Sequence, residues 1–361
     1  MYLGSIILFL VAVTIMASVP ARLAAVHGQA GQPPGRVTAA ILGGLLVALV
    51  TLVVSTRSLG FGVDSITYAE LFAAHCRGEA LAGYDASFHL ALAVLEAATL
   101  GVCRVSLLPA AWAFAVVGLL LLAPAPWPRR LQYVGLLLFS IVGFELITNA
   151  LRQSFAVGLS VLAVACYGRS RLLSLTIAAA AVVAHKSAAL VLVSFLGANL
   201  GWRWLLAGMT AAIVIVVVSL STGKVFILFE TFIYEIKKYL GHGDDEIFIR
   251  LLAAATLLVT LLAPLLAADG RNGRRLVWRS HGYQVALRLA FTCLPLLAVP
   301  WFGYRYIYGV YPVVLWLVLA EADHWPDWSG RMFGWIVTGN AFILAGWSLG
   351  SSYMRLVPFY G

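Results

Sequence analysis

Charge is what this chain has least of. Of its 361 residues 11% are charged and 62% hydrophobic, and the mean hydropathy is +0.95. A soluble domain carries roughly 25% charged and about 45–50% apolar residues, so a water-soluble core, a disordered chain and a collagen-like fibre are all excluded. Lysine is scarce, with 4 against 20 Arg. The four cysteines, Cys76, Cys103, Cys166 and Cys293, share no CxxC spacing. Three of them sit in or beside apolar runs, so buried thiols are expected rather than a metal site or a disulfide framework. There is no GxxxxGK[ST], no GxGxxG between a strand and a helix, and no HExxH or paired-Cys metal site, which argues against an ATP-driven pump and a cytosolic-type sugar-nucleotide enzyme. No metal or cofactor is expected. Internal repeats and Gly/Ser- or Pro-rich linkers are also missing, so residues 1–361 read as one integral domain.

What is present is a series of long apolar runs. A spanning helix takes about 20 mostly apolar residues. Spans are expected near 3–20, 37–55, 105–123, 131–148, 153–168, 171–185, 187–201, 204–222, 249–268, 284–302, 306–320 and 332–350. Met1 to Ser5 lacks a basic n-region, so Ile6–Ala17 reads as an uncleaved first span. The expected fold is all-α, a polytopic membrane helix bundle of about 12 transmembrane helices (11–13) with amphipathic periplasmic or interfacial helices.

The net charge of +9 and pI near 9.6 are a topology signal more than a nucleic-acid one, because the basic residues are scattered between apolar runs. The loops 21–36, 124–130, 169–170, 202–203, 269–283 and 321–331 hold 11 Lys/Arg, or 12 with Arg171. Basic bias places these loops in the cytoplasm, with 269–283 the main one, and puts both termini outside. The outer loops 56–104 and 223–248 hold most of the acids. Within the first, 86–103 is apolar enough to span, yet His89 and Glu96 share one helical face, so it is expected to be interfacial or re-entrant. In the second, Phe229, Phe232, Ile233, Ile236, Tyr239 and Leu240 recur at helical spacing, as in a helix lying in the interface plane.

Ionisable residues at membrane depth are costly and default to functional candidates. Six or so polar positions converge on the outer ends of the expected spans. Arg152, beside Gln153, has the planar fork suited to phosphate, or it snorkels to the interface. His185, followed by Lys186 and Ser187, is a general base, a phosphate donor or a structural helix-end residue. Asp64, four residues before Tyr68 and downstream of Arg57, is a base for a sugar hydroxyl or the N-cap of the helix that follows. Arg305 stands among Tyr304, Tyr306, Tyr308 and Tyr311, which either contact sugar or form an interfacial belt. Arg288, inside a span, is expected to pair with a carbonyl or an acid such as Glu145.

In order, Arg57…Gly62-Val63-Asp64…Tyr68, Gly83-Tyr84, Leu151-Arg152-Gln153-Ser154-Phe155-Ala156, His185-Lys186-Ser187-Ala188 and Arg305-Tyr306 resemble the EpsG-like family of bacterial Wzy-type polysaccharide polymerases. The resemblance runs from about the second span to the eleventh; each motif is short, and their order carries the match. The family has an acid before Gly-Tyr, where the nearest upstream acid here is Glu79. The resemblance implies a GT-C-like integral membrane glycosyltransferase. It would join undecaprenyl-diphosphate-linked oligosaccharide units into exopolysaccharide or O-antigen on the periplasmic face of the bacterial inner membrane. It also implies roles: Arg152 and Arg305 on the diphosphate, His185 as base or phosphate contact, and Asp64 as second candidate base. Arg57, Tyr68, Gln153, Lys186 and Tyr306 would position substrate. Membrane lipid, a flippase and a chain-length regulator would be partners, and nucleic acid would not. A lipid-linked glycan ligase and a non-enzymatic flippase or exporter remain alternative readings.

Overall fold

The structure, a computed structural model, describes residues 45, 48, 63–79, 86–98, 100–101, 104, 107–148, 150–222, 247–296, 302–325 and 328–350. The expected spans 3–20 and 37–55 and the loop 223–248 lie almost wholly outside the described residues. Among the described residues all regular structure is helical. The helices gather into two compact units, residues 1–189 with 336–361 and residues 190–335.

The first unit holds α1 (Val63–Cys76), α2 (Ala86–Ala98), α3 (Leu107–Leu121), α4 (Trp127–Leu138), α5 (Ile141–Thr148), α6 (Leu151–Tyr167) and α7 (Arg171–Ala184). Tyr68 and Phe72 of α1 meet Phe88, Leu92 and Leu95 of α2 in one buried cluster. The spacing 88, 92, 95 is a single helical face. Helices α6 and α7 form a hairpin. Gly168 closes α6, and the Ser170 side chain caps α7 by accepting from the Leu173 N–H at 3.3 Å. The Ser174 hydroxyl then donates across the pair to the Ala163 carbonyl at 2.8 Å, tying α7 to α6 near the turn.

The run expected as one span at 131–148 is broken. Helices α4 and α5 meet at 86°. Ser140 makes the corner: its hydroxyl donates to the Leu137 carbonyl at 2.6 Å and accepts the Gly143 N–H at 3.0 Å, so it closes α4 and caps α5. A Cβ at Gly143 would lie 1.9 Å from the Leu137 carbonyl oxygen. Only glycine fits that close approach.

Helix α8 (Ser187–Leu200) begins at the edge of the first unit and runs into the second, which continues with α9 (Trp202–Thr222), α10 (Ile247–Ala267), α11 (Gly270–Arg279), α12 (His281–Phe291), α13 (Cys293–Leu296) and α14 (Phe302–Glu321). The last helix, α15 (Ser329–Gly350), returns to the first unit. Helix α14 is the centre of the second unit, with Val310, Val313, Val314, Leu315 and Leu319 fully buried. The Tyr283 hydroxyl donates to the Leu261 carbonyl at 2.9 Å, joining α12 to α10. Glu321 accepts the Gly282 N–H at 2.7 Å, fastening the end of α14 to the start of α12.

Helix α10 contains Arg250–Ala267, 18 residues with mean hydropathy 2.0, long and apolar enough to cross a bilayer. The bent α4–α5 pair meets the same test as a broken span. Helices α6, α7 and α8 are apolar and of 14 to 17 residues, within two residues at each end of the short spans expected at 153–168, 171–185 and 187–201, and the span expected at 284–302 is interrupted at Thr292. The loop expected at 269–283 folds largely as α11. With 13 residues, α2 is about 20 Å long, short of a hydrocarbon core of about 30 Å. Several helices are apolar on their outer faces too: Leu251, Leu258, Leu262 and Leu266 make an exposed stripe on α10. A surface helix of a water-soluble protein turns charged residues outward there, so the stripe suits a lipid surround.

Two cysteines follow expectation: Cys166 and Cys293 are free thiols buried in their helices. Cys76 corrects it. As the last residue of α1 it packs at the edge of the Tyr68–Phe88 cluster, half-buried, and it is disulfide-bonded.

Candidate active site

Arg152 is the second residue of α6, and the residue that opens this helix, Ala150, has no side-chain oxygen to cap it. The positive end of the helix dipole and a guanidinium therefore stand together, the arrangement that suits an anion. The half-buried Arg152 side chain is held from below: its Cζ lies 5.8 Å from the centroid of the Phe88 ring. Phe88 packs against Tyr68 at 5.6 Å and against Trp112 at 6.2 Å, and Trp112 meets Phe155 edge-on at 6.2 Å. Four helices, α1, α2, α3 and α6, thus contribute one ring each to a platform under Arg152. Tyr68, a substrate contact in the sequence reading, is buried in that platform. Gln153, next to Arg152, is also buried.

His185 ends α7 in extended backbone, at φ −160 and ψ 126, and its carbonyl accepts the Ala188 N–H at 3.0 Å to start α8. Its Nδ1 lies 2.6 Å from the Ser187 hydroxyl and accepts the Ser187 N–H at 3.3 Å. An acceptor at Nδ1 places the proton of the neutral ring on Nε2. His185 therefore caps α8 with one nitrogen and carries its N–H on the other. Helix α6 rises about 25 Å over 17 residues and α7 about 21 Å over 14. A tight hairpin of nearly equal arms returns the end of α7 to the level of the start of α6. The His185 and Arg152 backbones consequently belong to the same end of the first unit. Lys186 is exposed beside them.

Asp64 is in the first turn of α1, where a carboxylate favours the helix dipole; its side chain, like the whole of Arg57, lies outside the described residues. Glu79 is held by Arg77, whose Nε donates at 2.5 Å and Nη2 at 3.2 Å. That charge-assisted pairing keeps the Glu79 carboxyl below its ordinary range. Glu96 meets His75 of α1 at 3.0 Å, a partner 21 residues away that helical periodicity within α2 does not reveal.

The remaining candidates belong to the second unit. Arg305 is half-buried in the first turns of α14. Tyr306 is buried, donates to the Ser194 hydroxyl at 2.7 Å and shares a 2.7 Å hydrogen bond with Thr292, which links α14 to α8 and to the break after α12. Arg288 has the carbonyl partner expected of it, donating to Ala198 at 3.0 Å, with its Cζ 5.9 Å from the Trp202 ring. Among the described residues no group of three or more His, Cys, Asp or Glu is placed to hold a metal ion.

The profile of the EpsG family matches residues 40–320, most of the chain. The chain belongs to the EpsG family. Neither a curated protein nor a solved structure matches it. Membership in the EpsG family carries a polysaccharide-polymerase-like function in broad terms and a membrane-associated setting. The matched stretch contains every candidate residue singled out above. Phe88 was not among them: it sits in an apolar helix with no local signal, and only the tertiary fold puts it under Arg152.

Proposed function

We propose that this EpsG-family chain is a multi-pass, GT-C-like glycosyltransferase of about 12 spans that polymerises polyprenyl-diphosphate-linked oligosaccharide on the periplasmic face of the bacterial inner membrane. The acceptor sugar hydroxyl attacks the anomeric carbon of the donor chain. The bond from that carbon to the lipid diphosphate breaks, and the diphosphate leaves with the electron pair. The hydroxyl proton passes to a base, for which Asp64 is the candidate. The leaving group needs neutralisation more than activation, so a fixed donor at the developing charge contributes most.

One observation carries this reading: Arg152 stands on an aromatic platform in the first turn of α6, in a chain whose family match spans residues 40–320. Arg152 would bind the diphosphate. His185, with its proton on Nε2, suits a second donor to phosphate better than a base. A purified chain given a synthetic polyprenyl-diphosphate repeat unit should make a ladder of products. Arg152→Ala should slow it by about 10²–10³-fold, the loss typical of one transition-state donor. Movement of the unit across liposomes with no ladder would make the chain a flippase instead.

A further inference from the structure

We propose that α11 lies along the bilayer surface and binds the phosphates of anionic phospholipids in the leaflet at its end of α10. Its sequence, GRNGRRLVWR, carries four arginines and no acid. Arg271, Arg274, Arg275 and Trp278 fall at i, i+3, i+4 and i+7 and share one face, with Arg279 beside them. All four arginines are exposed, and none meets an acid or a carbonyl among the described residues. Asp269, just ahead of the helix, is paired with Arg331 at 2.5 Å. The opposite face packs on the protein: Val277 is buried, and a Cβ at Gly273 would lie 3.3 Å from the Ala268 Cβ.

Two observations set α11 at headgroup depth. It starts three residues after Ala267, where the membrane-capable segment of α10 ends, a reach of at most about 10 Å of chain. Gly270, at φ +60, makes the turn. Trp278 then meets the Tyr283 ring edge-on at 5.8 Å, and the Tyr283 hydroxyl donates to the Leu261 carbonyl at 2.9 Å. Leu261 is six residues short of Ala267, about 9 Å along the apolar helix. The face that carries Trp278 and three of the arginines is thus joined to a level inside the apolar segment of α10, and it turns toward lipid rather than away from it.

The chemistry of that face suits a phospholipid headgroup. Trp278 and Leu276, 46% and 48% exposed, are the amphipathic ring and the aliphatic anchor of an interfacial helix. Arginine stems run along apolar surface while their heads stay at the polar boundary, and each planar fork takes two phosphate oxygens at once. Four fixed positive charges with no acid among them complement a leaflet of negative headgroups. An acidic protein would have to approach a face turned toward lipid. This binding goes beyond the polymerase reading and does not rest on it.

The test is native mass spectrometry of the purified full-length chain in detergent, given phosphatidylglycerol or phosphatidylcholine with the same acyl chains. The wild-type chain should retain phosphatidylglycerol in preference. Two paired variants, Arg271→Gln with Arg274→Gln and Arg275→Gln with Arg279→Gln, should each weaken phosphatidylglycerol binding about 10–30-fold, at about fivefold for each basic residue near the surface. All four changes together should bring it level with phosphatidylcholine. Variants are compared at matched melting temperature, and the pairs serve if the fourfold variant does not fold. Equal retention of the two lipids by the wild-type chain would overturn the proposal and leave the face to an acidic protein. Undiminished phosphatidylglycerol binding in the folded pairs would overturn it as well. Because the readout is lipid binding, either failure leaves the ladder assay to judge the polymerase reading separately.

Discussion

His185 caps α8 and is proposed to serve the diphosphate as well, and substitution can separate the two roles. Nδ1 receives the Ser187 N–H as a capping oxygen would, so His185→Ala should cost about 1 kcal/mol of stability, the usual loss of an N-cap. Asparagine offers a capping oxygen, and His185→Asn should retain most of that stability. If the imidazole also serves the diphosphate, both variants lose polymerisation. An active, stable His185→Asn protein would reduce His185 to a cap. Phe88 permits a similar split. Phe88→Leu keeps an apolar side chain but removes the ring under Arg152, forfeiting a cation–π contact of about 0.5–1 kcal/mol. Polymerisation should fall about two- to fivefold with little change in thermal stability. Phe88→Ala, by opening a cavity in the cluster, should destabilise by about 3–5 kcal/mol. Arg152 and His185 stand out in the sequence as candidates because an ionisable residue in an apolar run is conspicuous. Phe88 is not, since one more apolar residue in an apolar helix looks like packing until its neighbours from three other helices are known.

Helix ends explain where the sequence reading of the elements held and where it failed. Ser170 ahead of Leu173 is a recognisable cap, and α6 and α7 fall within a few residues of the expected 153–168 and 171–185. The corner at Ser140 was hidden. Phe139-Ser140-Ile141 interrupts no hydropathy window, and a serine donating back to a carbonyl looks the same in sequence as one that merely tolerates a straight helix. Gly143→Ala tests the corner. With its Cβ 1.9 Å from a backbone oxygen, alanine cannot be accommodated without opening the 86° bend. The variant should lose about 3 kcal/mol or more, at or above the upper end of the roughly 1–3 kcal/mol of ordinary overpacking, read as a lower melting temperature in detergent. Gly309 on α14 is a milder case. A Cβ there would come 2.6 Å from Val191 Cγ2 of α8, and the stiff, β-branched valine yields little. Gly309→Ala should therefore destabilise by about 1–3 kcal/mol, leaving the first unit's chemistry intact.

For the whole molecule, the sparse charge underlies both the proposed orientation and the proposed site. Most arginines are spread through loops and helix ends, as an orientation signal would be, while Arg152 stands over Phe88 and Arg130 stands over Trp127 and donates to the Leu121 and Ala125 carbonyls. The helical class was legible from hydropathy alone. Where a helix bends was not, because a bend depends on one hydroxyl and one glycine while hydropathy averages over some twenty residues. Orientation is open to direct measurement. A periplasm-active reporter fused after residue 361 should be active and one inserted within 269–283 silent, and the reverse pattern would reject the proposed orientation. Arg152 bears the central claim, that this chain joins lipid-linked repeat units around a guanidinium at the start of α6. The decisive measurement is the product ladder from synthetic polyprenyl-diphosphate repeat unit, comparing the purified wild-type chain with Arg152→Ala at matched folding. A wild-type ladder that falls about 10²–10³-fold in the variant is the expected result; a ladder undiminished by the loss of Arg152 would contradict it.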